Sequence, residues 1–393
     1  MSMRLNRSLL LGIIRREGPI SRVKLAKRSF LSFATVSRVV DFLIEEDFVS
    51  EIGKGNSMSG RKPVLLQFNE GVGYVVGVNV GEEKIQACMA NLGGKIVRRT
   101  EVPTKARQGG KVTLGQLQET IYRILSESKS IRRKIKGIGV SIPGHIDKQG
   151  GKVISSIIAG WRNIFLKETI EAEFGIPCIL GNNINLAAIG ERTYGIAQMA
   201  ESLVYVAVGT GVEAGIIVNN EVCYGANGKA GQLSHMAVES NSWQKDYGFR
   251  GGLESLINVE TVNNRVKQLI EKGQSSIIPD MVKGDLGKLT ARMVFTAAGK
   301  EDLVATSVVR EISYRLGAAI VNIVSLLDPE VIVIGGDIIL AGELPLKVVV
   351  SVVRKLAPTT PQISLSILGA DASIYGSIAL AIAEVFKKLE LSV

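Results

Sequence analysis

The stretch from Leu203 to His235, LVYVAVGTGVEAGIIVNNEVCYGANGKAGQLSH, decides the fold. Its opening valines, Val204, Val206 and Val208, alternate as in a buried strand. The strand breaks at Gly209-Thr210-Gly211, resumes from Ala214 to Val218, turns at Asn219-Asn220 and returns through Glu221 to Tyr224. A strand ending in Gly-Thr-Gly exposes backbone N–H groups with no side chain in the way, and such a concavity can hold a phosphate. A tight hairpin that needs glycine for positive φ is the other reading. Tyr74 to Val97, YVVGVNVGEEKIQACMANLGGKIV, repeats the plan. Val78-Asn79-Val80-Gly81 stands where Val206-Ala207-Val208-Gly209 stands. A second strand (Lys84 to Met89), a turn at Asn91 to Gly94 and a third strand from Lys95 follow. Two glycine-broken hairpins in two halves of one chain predict a duplicated lobe with a cleft between the copies.

This plan resembles that of the sugar kinase, heat-shock protein and actin superfamily. A closer resemblance is to the ROK family (repressors, open reading frames, kinases). It rests on GTGVEAGIIVNNEVCYGANGKAGQLSHMAV, on GGLES at Gly251 to Ser255, on GIGVSIPGHID from Gly137, on GNNINLAAIGE from Gly181 and on LDPEVIVIGGDI from Leu327. These segments run in the family's order from about residue 72 onward. The resemblance implies an α/β chain with an actin-like, ribonuclease-H-like body of two lobes. Lobe I spans 71–194 and is joined by a closing helix at about 375–390; lobe II spans 195–393.

At 393 residues the chain is too long for one ordinary core. Apolar residues make up 46% and charged residues 21%, so it is globular and not disordered. A net charge of +10 favours a polyanionic partner, although scattered lysines would give the same total. Cys88, Cys178 and Cys223 form no C-x-x-C, which fits a reducing cytoplasm. The apolar run Leu9 to Ile14 is short, interrupted by Gly12 and followed by charge, so no signal peptide is read there. No uninterrupted apolar run reaches the ~18 residues of a membrane span.

Residues 1 to 70 read as a separate unit. Leu5, Leu9, Ile13 and Ile14 recur at helical spacing, and Gly18-Pro19 ends that helix. Ser21 can cap a second helix, Arg22 to Ser29, and Ser32 a third, with Val36, Val39, Val40, Leu43 and Ile44 as its buried stripe. Two short helices joined by a tight turn are the helix-turn-helix plan. Thr35, Ser37 and Arg38 lie near the start of the third helix, off its apolar stripe, where a recognition helix meets bases and phosphates. Val49 to Ile52 and Pro63 to Phe68 read as strands flanking a glycine-rich loop with Lys54, Arg61 and Lys62. The whole predicts a winged helix-turn-helix that contacts double-stranded DNA, with Arg22 and Ser32 added to the contact set. Lys and Arg number twelve here against seven Asp and Glu, so placement argues more than excess. A small helical dimerisation module with a solvated basic face would show the same counts. The segment also resembles the head of ROK repressors, including Gly60-Arg61-Lys62-Pro63, which ROK kinases usually lack.

In lobe I, Thr113 to Ser128 and Ile164 to Phe174 read as helices, and Cys178-Ile179-Leu180 as a strand delivering Gly181-Asn182-Asn183 into the cleft. The resemblance places Asn183 where ROK kinases carry an aspartate general base. An amide cannot hold the proton such a base removes. Gly81-Glu82-Glu83 replaces the kinases' Gly-Gly-Thr, Asn79 their phosphate-loop aspartate, and Glu213 a further glycine. With Gly209, Thr210 and Gly211, these are degenerate phosphate loops. Carboxylates beside a phosphate cradle repel and crowd ATP. A working kinase and a nucleotide cofactor are therefore not expected.

In lobe II, helices are read at Leu253 to Lys272, Thr290 to Ala298 and Asp302 to Leu326. Strands are read at Glu330 to Ile334 and Ile363 to Leu368, and a closing helix at Tyr375 to Leu389. Many family members hold zinc through a histidine and three cysteines. The histidine matches His235, but the cysteine positions fall on Lys245, Tyr247 and Gly252, so no metal is expected where about four N or S donors are needed. His145 reads as a surface or turn residue. By resemblance the sugar contacts fall on Asn182, Asn183, Gln232, His235 and Glu254. Gln232 replaces a glutamate, and Ile158 falls where asparagine is common. A sugar or oligosaccharide effector is favoured; a glycoside, a non-sugar ligand or no ligand stays open. The combined expectation is a sugar-responsive transcriptional regulator acting as a repressor, a symmetric dimer or tetramer on a palindromic operator. An active sugar kinase with an added DNA-binding head, and a ligand-independent architectural DNA-binding protein, are the rivals.

Overall fold

The computed structural model describes residues 3–54, 63–128, 131–147, 151–158, 160–239, 246–247 and 251–391. At the N-terminus, α1 (Met3–Glu17), α2 (Arg22–Ser29) and α3 (Phe33–Glu45) form a helical head. The Ser21 hydroxyl accepts from the Lys24 amide and the Ser32 hydroxyl from the Thr35 amide, so the two expected caps start α2 and α3. β1 (Ile20–Ser21), β2 (Val49–Lys54) and β3 (Val64–Phe68) make an antiparallel sheet in the order β1-β3-β2. Leu10, Ile14, Leu25, Val36, Val40 and Leu43 fill the space between helices and sheet. β1 is too short for any periodicity to announce.

Two five-stranded sheets with the same connectivity follow. In the first, β4 (Tyr74–Val80), β5 (Lys84–Asn91) and β6 (Ile96–Pro103) form an antiparallel meander. α4 (Gly110–Ser126) crosses over to β7 (Ile135–Ile142), parallel to β4. β8 (Gly144–Ile146), β9 (Val153–Ser156) and β10 (Arg162–Ile164) form a small separate sheet. α5 (Leu166–Phe174) then leads to β11 (Cys178–Asn182), parallel to β7, and α6 (Asn183–Thr193) follows without a loop.

The second sheet repeats this with β12 (Leu203–Val208), β13 (Val212–Val218) and β14 (Glu221–Val222) as the meander. α7 (Gly252–Ile257), α8 (Val259–Glu271), α9 (Ile278–Met281), α10 (Ala291–Gly299) and α11 (Leu303–Leu327) intervene before β15 (Val331–Gly335). α12 (Leu344–Leu356) precedes β16 (Gln362–Leu365), and α13 (Ala372–Leu391) closes the chain. β6-β5-β4-β7-β11 and β14-β13-β12-β15-β16 are the same order, antiparallel through the meander and parallel beyond it. The duplication expected from the two hairpins is therefore present strand for strand. Asn219 and Asn220 both take positive φ, the conformation a two-residue hairpin turn requires.

Several expected elements need correction; the helix expected over Thr113 to Ser128 runs from Gly110 to Ser126. The helix expected from Ile164 begins at Leu166, because Ile164 closes β10 opposite Val153 and Asn163 takes φ 56°. The single helix expected over Leu253 to Lys272 is two: Asn258 leaves helical geometry and its side chain caps α8 from the Thr261 amide at 2.9 Å. The strand expected to reach Leu368 stops at Leu365, since Ser366 turns its hydroxyl onto the buried Glu191 carboxylate.

α13 starts at Ala372, three residues before the expected Tyr375, and lies across lobe I. Gly190 on α6 and Gly376 on α13 let the two helices touch. A Cβ on Gly190 would overlap the Ala372 carbonyl oxygen, and one on Gly376 the Leu186 carbonyl oxygen. The same helix closes the head. Ile374, Ile378, Ala381, Ile382 and Val385 share one continuous core with Leu10, Leu43, Leu66 and Phe68. α13 is long and apolar enough by composition to cross a membrane; here much of that surface is buried between head and lobe.

Candidate functional site

The cleft lies where the first turns of the two meanders face each other. A cavity of about 740 Å³ is lined there by Gly81, Glu82 and Glu83 from lobe I and by Gly209, Thr210 and Gly211 from lobe II. The Thr210 hydroxyl donates to the Glu82 carboxylate at 3.2 Å and ties the two loops across the gap. Each loop consumes one of its own amides: Gly81 N–H bonds to the Lys84 carbonyl at 2.9 Å and Gly209 N–H to that of Gly211 at 3.0 Å. Neither amide is left for a phosphate. None of Gly81, Gly209 and Gly211 takes positive φ, although a Cβ on Gly81 would crowd the Lys84 carbonyl oxygen across its hairpin.

The cleft is acidic. Glu82, Glu83, Glu213, Glu254 and Asp337 line it, against Lys84 and Arg292. Lys84 is paired with Glu101 at 2.9 Å and Arg292 with Asp337 at 2.6 Å. Crowding by protein raises the Glu213 pKa, and the like charges of Glu254 and Glu82 raise it further, although the side chain still meets solvent in the open cleft. Burial likewise raises Asp337, with Arg292 opposing and Glu83 adding. A triphosphate brought here would meet carboxylates where a kinase needs donors.

Asn183 is the first residue of α6 and lines the cavity. Asn182 lines it too, but its side chain is already committed. Its oxygen accepts from the Ile184 and Asn185 amides at 2.9 and 3.0 Å, and its nitrogen donates to the Gly144 carbonyl at 2.8 Å. That makes it an N-cap first. Gln232 and Glu254 join the lining. His235 does not: it is exposed, its ring against Gly251, outside the residues that line the cavity. His145, expected as a surface or turn residue, lines the cavity. It sits half-buried on β8, and its Nε2 comes within 3.4 Å of the Gln232 amide nitrogen from the other lobe. Pairing of β8 with β9 aims it inward, and no periodicity of so short a strand could reveal that. Among the described residues no three His, Cys, Asp or Glu side chains converge as a metal requires. Of the loop around the expected zinc position, residues 240–245 and 248–250 lie outside the described residues.

On the head, Arg38 is exposed on α3, with Thr35 and Ser37 half-buried beside it. Ser32 and Thr35 are engaged with each other, hydroxyl to hydroxyl, at 2.9 Å. Arg22 is paired with both Asp41, at 2.8 Å, and Glu51, so its charge is spent inside the head. Lys54 ends β2, and Arg61 and Lys62 lie outside the described residues. Two aromatic residues stand out that sequence reading passed over. Phe30 is 95% exposed in the left-handed turn between α2 and α3, and Phe33, 54% exposed, opens α3. The signal was available: apolar rings flanking a helix-turn-helix turn, outside the buried stripe.

A model of the ROK family matches residues 75–384. The chain belongs to the ROK family. Among its relatives is a xylose repressor of Caldicellulosiruptor bescii, 29% identical over 384 residues, 97% of this chain and 96% of that protein. A glucokinase of Halalkalibacterium halodurans is 34% identical over 276 residues, 70% of this chain and 83% of the kinase. The fold of this ROK chain is also that of a crystallised ROK family transcriptional regulator, described as a homologue of E. coli MLC protein. The TM-score is 0.84 at 23% identity, over 99% of this chain and 98% of that one. The named repressor aligns over almost the whole chain, head included; the kinase aligns over a body-sized part of it.

Proposed function

We propose that this ROK protein is a carbohydrate-responsive transcriptional repressor. Its head is a winged helix-turn-helix, and its kinase-like body senses a ligand without turning it over. The observation that carries this is Asn183: an amide heads α6 in an acidic cleft where the Gly81 and Gly209 amides are already bonded within their own loops. Such a cleft retains amide and carboxylate groups that bond sugar hydroxyls as donors or acceptors, and it lacks a base for phosphoryl transfer. Asn183, Gln232, Glu254 and His145 are the contacts assigned to the effector. Glu82, Glu83 and Glu213 exclude nucleotide.

Arg38 and Ser37 are assigned to base edges in the major groove, with Phe30 and Phe33 against thymine methyl groups or sugar edges. Lys54, Arg61 and Lys62 are assigned to phosphates. Action on DNA as a symmetric dimer or tetramer in the cytoplasm follows the same reading. Effector binding favours one lobe arrangement, shifts its population and so changes how two heads fit half-sites about one helical turn, or a multiple, apart.

The test couples two measurements on the full chain. A thermal-shift screen over mono- and oligosaccharides, beginning with D-xylose, D-glucose and N-acetylglucosamine, reads binding as stabilisation. Titration of labelled operator, with and without the stabilising sugar, reads the response. Stabilisation together with altered operator affinity supports the reading. ATP-dependent phosphorylation of any of these sugars would overturn it in favour of a kinase carrying a DNA-binding head.

A further inference from the structure

A second cavity lies away from the cleft, where the head meets the closing helix. It holds about 640 Å³, within the range of small-molecule sites. Leu9, Leu11, Phe42, Leu43, Phe48 and Phe386 give it apolar walls from α1, the end of α3, the segment after it and α13.

Arg7, Arg15 and Arg16 line it as well, against a single acid, Glu46. The Arg7 guanidinium sits 3.5 Å from the centre of the Phe42 ring, and that of Arg15 sits 4.9 Å from Phe386. None of the three arginines is ion-paired among the described residues. Arg15 and Arg16 are exposed, yet neighbouring protein crowds the Arg15 guanidinium. That desolvation, with the like charge of Arg16, lowers its pKa despite the opposing effect of Tyr194. Arg7 and Arg15 over ring faces, with Arg16 beside them, put positive charge without an ion-pair partner at the rim of an apolar space, where an anion can pair with it.

Gly12 adds an independent observation. It lies in the middle of α1, where glycine is a poor helix former. A Cβ there would meet nothing within 4 Å, so packing does not demand glycine. What the missing side chain leaves is cavity, since Gly12 is part of the lining.

We propose that this cavity binds a small organic anion with an apolar body, an acyl or aryl carboxylate, and that its occupancy biases how the head is held on α13. The carboxylate meets the arginines and the hydrocarbon lies against Phe42, Phe48 and Phe386. Phe42 and Leu43 lie toward the end of α3, a turn or more beyond Ser37 and Arg38, so the ligand does not occupy the surface assigned to DNA.

Calorimetric titration of the full chain with decanoate and with 4-phenylbutanoate tests this, with decanol as the uncharged control. The expected result is one saturable site per chain for at least one carboxylate, with decanol at least tenfold weaker. The double variant Arg15→Gln/Arg16→Gln should lose at least tenfold. Gly12→Leu should abolish binding with no drop in melting temperature, because it fills open space and improves the helix. Equal binding of decanol, undiminished binding to Gly12→Leu, or no saturable binding of either acid would overturn the proposal. A changed oligomeric mass in Gly12→Leu, with no carboxylate binding to the parent, would assign the cavity to a second copy instead.

Discussion

The Ser373 hydroxyl donates to the backbone carbonyl of Asn183 at 3.0 Å, so α13 grips the residue that opens α6 in the cleft. Four residues on, the Ser377 hydroxyl lies within hydrogen-bond reach of both the Ser373 carbonyl, at 2.8 Å, and the Val78 carbonyl of β4, at 3.2 Å. Phe386, thirteen residues along α13 and about 20 Å away at helical rise, stands edge-on to Phe68 of the head at 6.1 Å. One continuous helix therefore touches both the proposed effector site and the head core. A ligand that shifts α6 must shift α13 or break this bond. Ser373→Ala should leave operator affinity without effector nearly unchanged. It should weaken the effector-induced change by about two- to twelvefold, the worth of one hydrogen bond of ~0.5–1.5 kcal/mol. Operator titrations with and without sugar measure this; an undiminished response would show that coupling takes another route.

Glu191 joins the lobes from the other side of α6. It is fully buried, and its carboxylate accepts from the Ser366 hydroxyl, the Leu368 amide at 3.1 Å and the Ile196 amide at 3.0 Å. Glu191→Ala would strand three donors in the interior. The expected loss is roughly 2–4 kcal/mol, read as a lowered urea midpoint. A midpoint within error of the parent would mean that water replaces the carboxylate without cost.

How much of this was legible beforehand follows from the range of the signals. The strands of both meanders show in alternating β-branched residues, and Asn219-Asn220 shows as a turn because its chemistry is local. Asn183 drew notice only through the family resemblance, which places an acid at that position in the kinases. His145 was not legible, because its direction is set by pairing of β8 with β9, a contact between short segments without periodicity. Nor could sequence show that Asn182 spends its side chain on a cap and on the Gly144 carbonyl, or that Arg22 folds onto Asp41 and Glu51. The head's shared core with α13 joins residues more than three hundred positions apart, beyond any local pattern.

Restoring a carboxylate at position 183 should not restore a kinase. Asn183→Asp supplies a group able to accept a proton, yet Glu82, Glu83 and Glu213 would still face the triphosphate and the Gly81 and Gly209 amides would remain bonded within their loops. No ATP-dependent phosphorylation of D-glucose or D-xylose is expected from the single variant, by a coupled assay sensitive to one turnover per hour. Turnover in Asn183→Asp would mean that the acidic loops move aside for nucleotide.

Glu213 gives a signed pH dependence. Its folded pKa is raised by crowding and by Glu254 and Glu82, so the folded chain holds this proton more tightly than the unfolded chain. That contribution is full below the unfolded value of about 4.3 and is lost as pH rises through the folded value. At pH 7 the ionised group therefore weighs against folding. Glu213→Gln should unfold at a higher urea concentration than the parent at pH 7, the advantage shrinking toward pH 4. An advantage that grows on acidification would reverse the assignment.

The arginines of the head should separate by role. Arg38 is exposed on α3 and belongs to the proposed reading surface, whereas Arg22 neutralises Asp41 and Glu51. Arg38→Ala should cost about 1–3 kcal/mol on operator and much less on unrelated duplex, because a base contact is sequence-specific. Arg22→Ala should weaken both about equally, and only modestly, by leaving two uncompensated carboxylates beside the polyanion. Phe30→Ala extends the contrast: an exposed ring that contributes nothing to the folded core should be replaceable without loss of melting temperature, yet lower operator affinity if it packs on the duplex. Comparing specific and non-specific Kd at two salt concentrations distinguishes the three, since only phosphate contacts steepen the salt dependence. Equal losses for Arg38→Ala on both duplexes would move Arg38 from base reading to phosphate positioning.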